Sequence, residues 1–183
     1  EQVLHQYRDN EAVAYVDMMR NKLGLTNKAE GDEELIKDLE RILQLTETDM
    51  TIFFRKLADF KKSQPEDGLN IISKAFYEPY DLKDKAIAEN WEKWFKKYGE
   101  RLLVESLTDD QRKTEMNKVN PKYVLRNYMA QLAIDEADKG NYELISELFE
   151  LLKNPYSEQP ENEKWVAKRP EWARSKVGCS MLS

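Results

Sequence analysis

The sequence is short of nearly every group that performs covalent chemistry. It holds one cysteine, Cys179, and one histidine, His5, among 183 residues. A single thiol closes no disulfide within the chain, and one Cys with one His cannot build a zinc cluster. A reducing compartment follows, or redox chemistry with something outside the segment. The six glycines stand alone, at 24, 31, 68, 99, 140 and 178. There is accordingly no glycine-rich phosphate loop and no Gly-x-Ser-x-Gly elbow. No apolar run approaches the roughly 18 residues needed to span a bilayer, and no signal-like segment is present. The formal net charge is −6, which argues against nucleic acid and anionic membrane as partners, because both ask for a basic face. Residue 1 is Glu rather than Met, so a processed or excised chain is expected.

What the sequence does have is charge interleaved with apolar residues, 35% against 40%. That balance suits amphipathic helices with one wet face each. Helical spacing predicts a first helix over about 6–23, stopped by Gly24. Asp32 is placed to cap a second, with Leu35, Ile36, Leu39, Ile42 and Leu43 on one face. A third follows Thr48 and buries Ile52, Phe53, Leu57 and Phe60. Pro65 and Gly68 punctuate the chain. A long helix is expected over 82–105, carrying Ile87, Trp91, Trp94, Phe95, Tyr98 and Leu102, with a kink possible at Gly99. Thr108 and Gln111 form a capping box. Asn120 and Pro121 then read as N-cap and first residue of the next helix, with Val124, Leu125, Tyr128, Met129, Leu132 and Ile134 as its apolar surface. Gly140 ends it, and a short connection suggests an antiparallel pairing with a helix burying Leu144, Ile145, Leu148, Leu151 and Leu152. After Pro155 the period lapses around Pro160, Trp165, Pro170 and Trp172. The expected architecture is all-α: an irregular multi-helix bundle over 1–154 and an extended Pro- and Trp-containing C-terminal arm over 155–183.

The candidate sites are few. His5 lies in a polar stretch and reads as a surface or capping residue more readily than as a general base, which needs a second oriented group. Di-iron bundles use Glu-x-x-His pairs, and none occurs here. The acidic pairs Glu33–Glu34 and Asp109–Asp110 sit where they complement helix dipoles. "ADFKK" at Ala58–Lys62 lacks the glycine of a kinase Asp-Phe-Gly loop. The aromatic row from Trp91 to Tyr98 reads as core rather than as a ligand box. No catalytic, cofactor-binding or metal-binding residue is assigned. Cys179, near Arg174 and Lys176, is the one candidate redox residue, because neighbouring cations lower a thiol pKa; an inert thiol is the competing reading.

Several segments carry a family resemblance. "NPKYVLRNYMAQLAI" (Asn120–Ile134), "KNPYSEQPE" (Lys153–Glu161), "RPEWA" (Arg169–Ala173) and "GCSMLS" (Gly178–Ser183) resemble the C-terminal part of the selenoprotein O family, known in bacteria as YdiU. "MMRNKLGL" (Met18–Leu25) and "DMTIFFRKL" (Asp49–Leu57) resemble upstream landmarks in the same order. The resemblance implies the C-terminal portion of a kinase-like, pseudokinase-derived protein that transfers AMP from ATP to Ser, Thr or Tyr hydroxyls of proteins, using Mg²⁺ or Mn²⁺. It implies that the ATP- and metal-binding residues belong to an upstream kinase-like domain, and that the present segment supports that domain and positions a redox-sensitive tail. Family chains end in Cys-Ser-Ser or a selenocysteine counterpart, which makes Cys179 a neighbour of the terminal redox residue. The implied partners are the upstream domain and the parent's protein substrates; the implied compartment is the cytoplasm in bacteria and the mitochondrion in eukaryotes. The rival readings are a free-standing helical interaction module and an enzyme using Cys179 as nucleophile, which needs a His or carboxylate beside it, His5 being the only candidate imidazole.

Overall fold

The computed structural model describes residues 2–78 and 81–176. These residues are helical, and the one β-type pairing among them is an isolated antiparallel bridge between Thr48 and Phe76. The all-α expectation therefore holds. By their contacts the residues form two compact units, Glu1–Asn120 and Pro121–Ser183, each with its own apolar core.

The first unit begins with α1 (Gln2–Lys22). Its stop has a specific hydrogen-bond pattern: Leu25 N–H donates to Arg20 O at 2.9 Å and Gly24 N–H to Asn21 O at 3.1 Å. That pair of bonds is the Schellman closure, which needs a left-handed residue between the two donors' carbonyl partners and the onward chain; Gly24 supplies it at φ 70°. Leu23 and Leu25 are buried on either side. α2 (Asp32–Leu43) buries Leu35, Ile36, Leu39 and Ile42 as the spacing predicts. α3 (Met50–Leu57) is capped by Asp49, whose carboxylate accepts from Ile52 N–H at 3.0 Å. A 3₁₀ turn and the short α4 (Gly68–Ile72) follow.

α5 (Lys85–Leu102) is the organising helix of this unit. It is shorter than expected at both ends, and Asp84 caps its start by accepting from Ala86 N–H at 2.8 Å. Trp91, Trp94, Phe95, Tyr98 and Leu102 are all buried on it, and it packs on α2 and α4. Two of its aromatics also carry polar ties. Trp94 Nε1 donates to Leu35 O at 3.0 Å, and Tyr98 OH donates to Leu23 O at 2.7 Å. The helix runs unbroken through Gly99. A Cβ there would stand 3.4 Å from Pro65 Cβ and 3.6 Å from Phe60 Cζ, ordinary contact distances. α6 (Asp109–Val119) starts with both bonds of the Thr108–Gln111 capping box.

The next helix departs from expectation. Residues 121–126 are not helical, and α7 spans Asn127–Ala137. Asn120 is the C-cap of α6 instead of an N-cap. It is buried, its Nδ2 donates to Lys22 O at 2.9 Å, and its carbonyl accepts from Arg55 at 3.1 Å. Lys122 and Tyr123 both donate their backbone N–H groups to Pro155 O, at 2.8 and 3.0 Å. That long-range pairing is not announced by the sequence alone, and it ties residues 122 and 123 to the chain beyond α8, while α7 starts only at Asn127.

Within the second unit, α7 packs on α8 (Glu143–Lys153) across a short connection. Gly140, at φ 83°, closes α7 with the same two-bond pattern seen at Gly24. A 3₁₀ segment (Pro160–Val166) buries Trp165, and α9 (Glu171–Ser175) buries Ala173. Both join the core formed by Tyr123, Tyr128, Met129, Ala133, Leu148 and Leu151.

Candidate functional site

Polar side chains gather at two places, one in each unit. In the first unit they form an ionic clasp around the end of α5. Asp32, first residue of α2, is buried and accepts from Arg101 Nε at 2.6 Å, Arg20 Nε at 2.9 Å and Ala29 N–H at 3.0 Å. Glu105, also buried, accepts from Arg101 at 2.7 Å, from Asn27 Nδ2 at 3.2 Å, and from the backbone and hydroxyl of Thr26. The clasp thus ties α1, the 26–29 loop, α2 and α5 together. Burial is the largest influence on both carboxyls and opposes ionisation. For Asp32 the donors Arg101, Ala29 and Arg20 outweigh it; for Glu105 the donors Thr26, Arg101 and Asn27 do. Both carboxyls are held below the usual carboxylate range. Burial pulls Arg101 down, but its pairing with Asp32 and Glu105 prevails and holds it above its ordinary value.

A depressed folded-state pKa stabilises the fold at pH values above the unfolded pKa, and the contribution disappears as pH falls through the folded value. The first unit should therefore keep constant stability through neutral pH and lose it below about pH 4, where unfolded Asp and Glu titrate. Urea midpoints measured across pH test this. Asp32→Asn should flatten the acid limb and lower the neutral plateau, because the buried Arg20 and the half-buried Arg101 lose their shared anion.

Beside the clasp lies Arg112, 2% exposed. It donates to Tyr98 OH at 3.2 Å and to Phe60 O, and lies against Met116 Sδ. Burial pushes the Tyr98 phenol up to about 12, against the opposing pull of Arg112. A phenol so placed holds its proton and serves as a structural donor.

The second polar gathering joins two of the segments that carry the family resemblance. Lys122 pairs with Glu158 at 2.6 Å and with Glu163. Tyr123 OH donates to Gln159 O at 2.8 Å. Gln159 in turn donates to Leu151 O and Asn154 O, at 3.1 and 3.0 Å, satisfying carbonyls at the end of α8. Trp165 Nε1 and Lys164 both reach Glu147, at 2.8 and 2.6 Å. "NPKYV" and "PYSEQPE" are thus two sides of one turn that sets the direction of the chain after α8.

The candidate residues fall as follows in the molecule. The aromatic row of α5 is core. Glu33 and Glu34 occupy the first turn of α2, and Asp109 and Asp110 that of α6. Asp59 of "ADFKK" pairs with Lys113 at 2.6 Å. Cys179 lies outside the described residues, as does the side chain of His5. Among the described residues no three His, Cys, Asp or Glu side chains group to hold a metal ion. No helix of the described residues is long and apolar enough to cross a membrane. Arg20, Arg101 and Glu105 carry little local signal in the sequence. The one hint is the i, i+4 spacing of Arg101 and Glu105.

Two clasps that consume their own charges are scaffold features, and the scaffold has relatives. Residues 1–153 match the family model described as protein adenylyltransferase SelO. The chain belongs to the SelO family. It is similar to the protein nucleotidyltransferase YdiU of Flavobacterium johnsoniae, with 54% identity over 100% of this chain and 35% of that protein. The YdiU of Rhodopirellula baltica is 46% identical over 91% of this chain and 33% of its own length. That of Tolumonas auensis is 41% identical over 100% of this chain and 34% of its own. The chain thus spans about a third of the length of the curated SelO-family relatives it matches.

Proposed function

We propose that the chain is the C-terminal helical part of a protein adenylyltransferase, which moves AMP from ATP onto Ser, Thr or Tyr hydroxyls of proteins. In this reading it supports an upstream kinase-like core and positions the tail bearing Cys179 as a redox-sensitive element. ATP and Mg²⁺ or Mn²⁺ are held by the parent outside these 183 residues. The observation that carries the reading is the family match over residues 1–153 by a chain covering only a third of its relatives, in which buried charge is used to join helices. The clasp between Lys122–Tyr123 and Glu158–Gln159 supports the directing role, because it fixes how the chain leaves α8.

The test is AMP transfer from ATP labelled on the α-phosphate. The parent polypeptide should label protein hydroxyls in the presence of Mg²⁺ or Mn²⁺, and these 183 residues alone should label nothing. An intact parent that transfers no label would remove the reading.

A further inference from the structure

α8 has more apolar surface than its own unit covers. Leu148 and Leu151 are buried against α7 and the 3₁₀ segment, with Leu144 and Leu152 half-buried beside them. A second stripe lies outside that set. Ile145 and Phe149, four apart, share one side of the helix, and Tyr142, the residue that caps its start, precedes Ile145 by three; the three are 45%, 62% and 63% exposed. Isolated exposed apolar residues are ordinary, but three grouped along the cap and one side of a helix point to a contact surface. At its end the stripe meets Lys153, whose Nζ lies 4.8 Å from the Phe149 ring centroid and pairs with Glu150 at 2.6 Å.

We infer that this stripe docks onto the part of the parent polypeptide that lies outside these residues, on an apolar patch. The inference rests on the proposed function and names the surface through which the support acts. Two observations select this occupant. About two thirds of each relative's length lies outside the matched region, so a large covalently linked body is at hand. The stripe is also small. Buried aromatic side chains contribute about 150–250 Å² each, so three partly exposed side chains fall short of the roughly 800 Å² per partner of a stable free interface. A second copy would be held too weakly by it. A tethered segment experiences an effective concentration in the millimolar range, and for it a small apolar contact suffices.

Site-specific photo-cross-linking in the full-length parent tests this, with a benzophenone side chain introduced at position 149 and, separately, at 145. The expected product is an intramolecular adduct to a peptide from outside the 183 residues. In the unmodified parent, hydroxyl-radical oxidation of Tyr142 and Phe149 should be about fivefold or more slower than in urea, since docked patches pack like interiors. An adduct within residues 1–120, an adduct between two molecules, or no adduct at either position overturns the inference. Neither readout needs AMP transfer, so an inactive parent that cross-links as expected would sink the proposed function and leave the docking surface standing.

Discussion

Replacing Trp91 with Ala is expected to lower the stability of the first unit by about 3–5 kcal/mol, the usual range for removing a buried aromatic. Trp91 is fully buried and touches four other rings: Phe53, Phe76, Trp94 and Phe95, with centroids 5.7, 5.6, 6.2 and 5.9 Å away. Those rings are themselves anchored. Phe95 stacks on Phe60, and Trp94 is tied to Leu35 O, so the surroundings cannot collapse into the space. Trp91→Phe should cost much less. The smaller ring keeps most contacts, and the indole N–H it deletes meets no acceptor among the described residues, a situation that penalises the native side chain. Denaturant midpoints followed by far-UV circular dichroism would measure both. Equal losses for Ala and Phe would show that the ring contacts are not what holds the unit together.

Gly24→Ala is expected to cost a comparable amount by a different route. Gly24 sits at φ 70°, which costs a side-chain-bearing residue about 1–2 kcal/mol. A Cβ there would also stand 2.6 Å from Arg112 Cγ and 2.9 Å from Met116 Cγ. Arg112 cannot step aside without giving up Tyr98 OH and Phe60 O, so overpacking adds about 1–3 kcal/mol more. The two costs separate with Asn, which tolerates the left-handed region. Gly24→Asn should remain strongly destabilising, because the clash persists. Gly140→Asn should be nearly neutral: Gly140 has φ 83°, but no atom lies within 4 Å of where its Cβ would be. Thermal melts of the Ala and Asn variants at both positions would check the pattern.

These two positions also show what was legible in the sequence. Helix period is local, so the apolar faces of α2 and α3, the capping box of α6 and the stops at Gly24 and Gly140 could be read directly; Asp32, expected as the cap of α2, is instead its first residue, behind Gly31 as N-cap. The aromatic face of α5 was equally plain. Residues 121–126 misled, because Asn-Pro satisfies every local rule for a helix start while Lys122 and Tyr123 bond to Pro155 far along the chain. Ile145 was expected inside and is exposed; its periodicity marks an apolar stripe without saying whether this chain or another body covers it. The ionic clasp joins residues 20, 32, 101 and 105, and nothing local links an arginine on α1 to a carboxylate on α2.

The proposed support role is tested most directly by deleting these 183 residues from the parent and measuring AMP transfer and thermal unfolding of what remains. The account predicts that transfer is abolished and that the remaining lobe melts earlier or aggregates. Undiminished transfer by the shortened parent, with an unchanged melting temperature, would contradict it.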